Sequence, residues 1–320
     1  NELKEWKIDF ETGRHSEEKI LNANLVVKSP GIAENKNIIL KIREAKIPVI
    51  SEIEWAYGFK GNSKIIGITG SNGKSTTTAL IGHILKLEGY DVAVVGNIGV
   101  SFARQVAVQP KPIYVIEISS FQLDDIEKFK ADIAVITNIT HDHLDRYHND
   151  FQLYIQSKFR IIENQSAIDF FVFNADDKII TEKRKPITNL LPFSMKKEIN
   201  RGVYIMNERM ILNINNERME MNVKDFTIKG KHNQQNALAA CAATSALGIK
   251  KENTRVALQT FNSLEHRMSA AGVVRGVEFI NDSKSTNINC TWFALESIEK
   301  PTILILGGVD KGNDYSILED

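Results

Sequence analysis

The chain has 320 residues, with 40 Lys plus Arg balanced by 40 Asp plus Glu and a formal net charge of zero. That length allows two or three domains. The neutral balance argues against a nucleic-acid partner, and no run approaches the roughly 18 apolar residues of a membrane span. The opening NELKEWKIDF lacks the apolar stretch of a signal peptide. The two cysteines, Cys241 and Cys290, suggest no disulfide scaffold, so a cytoplasmic location is expected. Cys241 lies in the apolar helical run ALAACAATSAL and reads as a small buried hydrophobe.

ANLVVKSPGI (23–32) reads as a short buried strand closed by a Pro-Gly turn, and NKNIILKIREAKIPVIS (35–51) as a helix followed by a strand. KIIGIT (64–69) is apolar and β-branched, a central strand. GSNGKS follows it and opens a helix from about Lys74 to Glu88, stopped by Gly89. DVAVVG, IYVIEIS, ADIAVIT and DFFVFN are near-continuous apolar runs, the pattern of parallel strands covered on both faces. The fold class is therefore α/β, with a doubly wound, mostly parallel central sheet. GVYIMNERMILNINNERMEMNV (202–223) alternates and has Asn-rich turns, predicting β-hairpins, and KHNQQNALAACAATSALG predicts a helix. A domain boundary is expected near Leu264. Beyond it, VEFIND reads as a strand, NCTWFALESI as a helix and TILILGG (302–308) as a strand.

The glycines of Gly70-Ser71-Asn72-Gly73-Lys74-Ser75-Thr76 let backbone N–H groups converge on an anion at a helix N-terminus. Lys74 can reach β- and γ-phosphates and Ser75 can ligate Mg²⁺. The match to the strict P-loop pattern is incomplete, because Ile68 stands where that pattern has its first glycine. Glu117 falls at the C-terminal end of a strand, where ligands gather in open α/β sheets and an acid can hold Mg²⁺. TNITHDHLDRYH places three histidines and two aspartates within eight residues. HDHLD resembles the opening of a metallo-β-lactamase zinc pattern, but Arg146 stands where the next histidine would be. Asn233 and Asn236 share a helix face and suit a base, a ribose or a helix cap. Arg267 falls at the expected hinge, where a cation can neutralise phosphate or form an interdomain ion pair. NDSKSTN places Asp282, Lys284 and Thr286 on a loop after a strand, and GGVDKGNDY does the same for Lys311.

Taken in order, TGSNGKST, GNIG, EISSFQL, TNITHDHLDRY, KHNQQNALAA, EHRM, NDSKSTN and LGGVDKG resemble the Mur ligases of peptidoglycan synthesis over nearly the whole chain. SSFQL together with DSKSTN resembles the D-glutamate-adding branch. Other members and folylpolyglutamate synthase share the phosphate loop and differ at those two places. The resemblance implies an ATP-dependent amide ligase. ATP phosphorylates the carboxylate of UDP-N-acetylmuramoyl-L-alanine, and the amine of D-glutamate displaces phosphate from the acyl phosphate.

It also implies roles. Lys74 binds the β- and γ-phosphates. Two Mg²⁺ ions are expected, one on Ser75 and Glu117, the other served by His143, which also meets the nucleotide sugar. Lys158, in YIQSKFRI, falls where the family has a carbamylated lysine. Asn233, Asn236, Arg267 and Asp282 contact ATP. Lys284, Thr286 and Lys311 position the glutamate and the developing charge. Asn97, Ser119 and Gln122 touch the muramoyl substrate, and Ser29 to Gly31 its uridine-diphosphate side. Asp310, beside Lys311, is left without a role.

The implied domains are a partial N-terminal, Rossmann-like domain for the UDP substrate (1–60), a central ATP-binding domain (61–263) and the start of a C-terminal α/β amino-acid-binding domain (264–320). The absence of an initiator Met and the end at DYSILED predict a fragment. By family comparison it lacks an N-terminal glycine-rich strand and turn and about the last hundred residues of a third domain. A monomer acting on small molecules is expected. Three alternatives remain: a sister ligase with another acceptor amino acid, a metal-dependent hydrolase built on HDHLD, and a nucleotide-binding switch without ligase chemistry.

Overall fold

The computed structural model describes residues 2–184, 189–214, 217–262, 266–285, 287–296, 298, 300–308 and 315–318. Two short helices, α1 (Glu2–Glu5) and α2 (Glu17–Leu21), precede a parallel pair, β1 (Val26–Lys28) and β2 (Val49–Ser51), joined through α3 (Asn37–Glu44). Ile39 and Ile42, three residues apart on one face of α3, pack with Val49 as a small separate core. In α4 (Glu52–Tyr57), Ser51 is the N-cap, its Oγ accepting from the Glu54 N–H.

Strand and helix then alternate: β3 (Lys64–Thr69), α5 (Lys74–Leu87), β4 (Val92–Gly96), α6 (Phe102–Val108), β5 (Ile113–Glu117), α7 (Ser120–Leu123), β6 (Ile133–Ile136), α8 (Phe151–Phe159), β7 (Phe170–Asn174), α9 (Lys178–Lys183) and β8 (Asn189–Ser194). A meander of β9 (Gly202–Met206), β10 (Arg209–Ile214) and β11 (Glu217–Asn222) leads to α10 (Lys231–Ser245) and α11 (Lys251–Thr260). A separate hairpin, β12 (Ser269–Val274) with β13 (Val277–Asn281), and α12 (Ile288–Glu296) follow.

One sheet holds strands β3 to β11 in the order β11-β10-β9-β8-β7-β6-β3-β5-β4. Strands β4 to β8 run parallel with β3, and β10 is antiparallel to both β9 and β11. Along β3, Ile65 enters the core on one face while Ile66 and Ile68 enter it on the other, and β6 alternates in the same way. Both faces are covered, which is why these strands read as unbroken apolar runs. From β3 the chain goes outward to β4, returns to β5 and then crosses to β6 on the far side of β3. That reversal makes the C-terminal end of β3 a topological switch point, where α/β sheets leave a crevice for ligands.

The α/β class, the parallel strands, the meander and the helix at α10 are as expected. β8 is a strand that the sequence reading lacks, because Pro192 lies within NLLPFS. β9 joins β8 only from Phe193 onward, so Pro192 sits where β8 is paired on one side alone. The expected strand at 302–308 does not form, and Ile303 and Ile305 are 92% and 87% exposed. An apolar run becomes a buried strand only where it pairs with neighbouring backbone, and among the described residues β12 and β13 pair only with each other. Leu264, Thr286, Asp310 and Lys311 lie outside the described residues.

One buried acid fixes the approach to β6. Both carboxylate oxygens of Glu54 accept backbone N–H bonds, from Glu127 and Phe129 on one and from Lys128 on the other, at 2.8–3.0 Å. Hydrogen bonds to a charged acceptor contribute most when buried. Glu54→Ala should leave those donors unsatisfied and cost about 3 kcal/mol of stability. Urea denaturation would measure it, and Glu54→Gln should lose less.

Candidate active site

At the end of β3 the chain turns through Gly70 and Gly73, at φ of 144° and 82°, into α5. A Cβ on Gly70 would stand 1.9 Å from Thr137 Oγ1, and one on Gly73 would stand 2.1 Å from Asn236 Oδ1. Only glycine fits at either place. The loop is clamped to the end of β6. The Asn72 N–H donates to Asn138 Oδ1, and the Asn72 carbonyl accepts from Thr137 Oγ1. Ser71 is buried, and its Oγ donates to the Thr140 carbonyl and lies 3.0 Å from the Tyr154 hydroxyl. Its side chain thus helps hold the loop in place. The N-terminus of α5, with its unpaired N–H groups and positive dipole end, closes an anion cradle.

Two ammonium groups meet at this loop. Lys74 Nζ donates to the carbonyls of Gly70, at 2.9 Å, and Ser71, at 2.8 Å. Lys158 Nζ, from α8, donates to the same Gly70 carbonyl at 2.8 Å and lies over the Tyr154 ring. Lys158 is 1% exposed. Burial, with Lys74 beside it, holds its ammonium well below the usual lysine range. Burial lowers Lys74 as well, opposed by the charges of Glu117 and Asp142.

Glu117 is the last residue of β5 and is 1% exposed. Its Oε1 accepts from Asn97 Nδ2 at 2.7 Å, while its Oε2 is buried with no hydrogen-bond partner. A buried carboxylate oxygen left open beside Ser75 and a phosphate cradle suits a hard cation with oxygen ligands. His143 takes a left-handed φ of 53°, packs edge-on to Phe121 and places Nε2 3.6 Å from Asp142 Oδ2.

These groups line one cleft of about 630 Å³. It contains Gly31, Ser71, Asn72, Gly73, Lys74, Ser75, Asn97, Glu117, Ser119, His143, Lys158, Arg267 and Lys284 from the expected set. Lys74, Arg146, Lys158, Arg267 and Lys284 outnumber the two lining carboxylates, Glu117 and Asp142. A chain with no net charge therefore concentrates cations where phosphates would sit. Asn72, Gly73 and Arg267 also line a smaller pocket on the other side of the loop, with Thr76, Asn233, Asn236 and Asp282. Arg267 bridges the two, its Nη2 donating to Ser75 Oγ at 3.1 Å.

Ser29 and Gln122 stand apart from this assembly. Ser29 is exposed in the turn after β1. Gln122 is buried, its Oε1 accepting from the N–H and hydroxyl of Ser119 in a capping box at the start of α7. The sequence reading missed Asn138, Thr137 and Tyr154, which hold the loop, and Asp142, Asn287 and Cys290, which line the cleft. The polar TNITHD stretch pointed to Thr137, Asn138 and Asp142. Arg146, noted earlier only as an interruption of a zinc pattern, stacks on Phe121 and donates to the carbonyls of Pro30 and Ile32, docking the N-terminal turn. The hydrolase reading fails on geometry. His141 stacks on Phe151 while His143 packs on Phe121, and no three His, Cys, Asp or Glu side chains gather as a metal site among the described residues.

The pattern of the Mur ligase middle domain matches residues 68–244. A UDP-N-acetylmuramoylalanine–D-glutamate ligase of Christiangramia forsetii is 48% identical over 319 residues, covering 99% of this chain and 72% of that protein. One from Bacteroides fragilis is 49% identical over 318 residues, covering 98% and 71%. Among solved structures, a pseudomurein peptide ligase type C from Methanothermus fervidus aligns with a TM-score of 0.60 at 23% identity, covering 93% of this chain and 69% of that one. The UDP-N-acetylmuramate-alanine ligase MurC of Thermotoga maritima aligns at 0.59 and 21%, covering 92% and 68%. The two structures share the fold, and the sequence relatives share nearly half of all residues along almost the whole chain: it belongs to the Mur ligase family.

Proposed function

We propose that this chain performs the ATP-dependent joining of D-glutamate to UDP-N-acetylmuramoyl-L-alanine in peptidoglycan precursor synthesis, the activity for which its relatives are named. The observation that carries the reading is the convergence of Lys74 and Lys158 on the Gly70 carbonyl, beside the open oxygen of Glu117. A lysine cation at a phosphate loop, with a buried second lysine and a metal-ready acid in the same cleft, suits phosphoryl transfer to a bound carboxylate.

The nucleotide sits across the loop, its phosphates on Lys74 and the α5 N-terminus and its nucleoside toward Asn233, Asn236 and Asp282. The substrate carboxylate attacks the γ-phosphorus, ADP leaves and an acyl phosphate forms. The amine of D-glutamate then attacks the carbonyl carbon, the C–O bond to phosphate breaks and the amine loses its proton as the amide forms. Arg267 and Lys284 neutralise charge on the transferring group, and Asn97, Ser119 and His143 orient the muramoyl end. Thr286 and Lys311 complete the acceptor side. Ser75 and Glu117 would hold one magnesium ion, and His143 with a carbamylated Lys158 the other, supplying charge neutralisation at the phosphates. A buried amine kept neutral is the form that adds CO₂, releasing one proton and becoming a carboxylate-like ligand.

Residues 1–60, 61–263 and 264–320 then divide the work among nucleotide sugar, ATP and acceptor amino acid. The reading carries with it a cytoplasmic monomer acting on small molecules, with neither nucleic acid nor membrane as partner. No helix among the described residues is long and apolar enough to cross a membrane.

Phosphate release by the full-length protein should require MgATP, the nucleotide sugar and D-glutamate together, and Lys74→Ala should abolish it. Release with a different amino acid would transfer the reading to a sister ligase, and ATP binding without release would favour a nucleotide switch. Lys158→Ala should lower turnover by about a hundredfold or more. Short carboxylic acids added to that variant should restore part of it, and a variant as active as wild type would remove the carbamate.

A further inference from the structure

Asn287 stands where three segments meet. Its Oδ1 accepts from the Cys290 N–H and so caps α12. Its Nδ2 donates to Asn72 Oδ1 in the phosphate loop at 2.9 Å and to Asp142 Oδ2 in the loop after β6 at 3.3 Å. Cys290, on the first turn of α12, donates its thiol to the same Asn72 oxygen at 2.9 Å. On its other side Asn72 is clamped through its main chain to Thr137 and Asn138. The tip of the phosphate loop is thus gripped between the end of the central sheet and α12. The loop before α12 carries Asp282, which lines the smaller pocket, and Lys284, which lines the cleft.

We propose that Asn287 is a positioning residue that latches α12, and with it the Asp282–Lys284 loop, onto the phosphate loop in the arrangement that transfers the phosphoryl group. The proposal rests on the ligase reading. The two ends of one side-chain amide do separate jobs: the oxygen caps a helix, and the NH₂ group bridges two acceptors on the central domain. No other side-chain hydrogen bond among the described residues joins α12 or the Asp282–Lys284 loop to Asn72 except that of Cys290. Misplacing such a loop by an ångström lowers rate more than binding, because the nucleotide is already held by α5 and its loop.

The two jobs can be separated by substitution. Asn287→Asp keeps an oxygen for the cap and replaces the donor with a carboxylate facing the oxygens of Asn72 and Asp142. Asn287→Ala removes both functions. In the full-length enzyme, Asn287→Asp should keep the thermal midpoint of wild type and bind MgATP within about threefold of it. Its kcat should fall by about tenfold or more, and further than that of Asn287→Ala. A residue that only caps gives the reverse order, with Asn287→Asp like wild type and Asn287→Ala impaired, and that order would overturn the latch. A second readout does not use turnover. Alkylation of Cys290 by iodoacetamide, followed by mass spectrometry, should be about fivefold faster in Asn287→Asp as the thiol leaves Asn72; an unchanged rate also overturns the latch. If wild type releases no phosphate with the three substrates, the ligase reading fails, and the alkylation rates still decide the latch.

Discussion

The Gly70 carbonyl holds two ammonium groups, and the arrangement of the molecule follows from keeping both of them there. Lys74 comes from the helix that the loop itself starts. Lys158 comes from α8, which lies between β6 and β7 in the chain. Bringing them to one oxygen requires β6 to lie directly beside β3, which the sheet order provides. It also requires the loop to pass under Thr137 without a Cβ. Two buried lysines sharing one acceptor cannot both carry charge cheaply, and burial with Lys74 beside it holds Lys158 well below the usual lysine range. The fold keeps that cost local by packing Tyr154 against Lys158 and tying its hydroxyl to Ser71.

The rest of the chain serves the cleft by delivering segments to its rim. On the N-terminal side, Arg146 holds the carbonyls of Pro30 and Ile32, and buried Lys28 pairs with buried Asp125 at 2.9 Å. A buried pair of this kind does more to set the orientation of two segments than to stabilise them. On the C-terminal side, Arg267 reaches Ser75 and Asn287 reaches Asn72. The core of residues 39–49 is separate from that of the central sheet, which Ile53 and Ala56 of α4 join.

Much of this was legible from residue order. The runs KIIGIT, IYVIEIS and ADIAVIT announced parallel strands because burial on both faces leaves no polar positions. The phosphate loop announced itself through Gly70 and Gly73, since those backbone angles exclude other residues. Glu117 was expected at a strand end, where ligands gather, and it is the last residue of β5. The failures have equally local causes. Pro192 hid β8, because its effect depends on whether a neighbour strand is present at that level. TILILGG has the composition of a strand but no ladder to join.

Composition, periodicity and glycine placement thus determined the fold class and the glycine loop that opens α5, because these depend on contacts between near neighbours in sequence. Tertiary structure alone decided that Lys158 and Lys74 share one carbonyl, that one oxygen of Glu117 stays open, and that Asn287 and Arg267 close over the loop. Lys158 and Gly70, Arg267 and Ser75, and Asn287 and Asn72 lie 88 to 215 residues apart in the chain, and the open oxygen of Glu117 is defined by what is missing around an atom. No local pattern encodes either property, and only the packing of β3, β5 and β6 side by side brings them about.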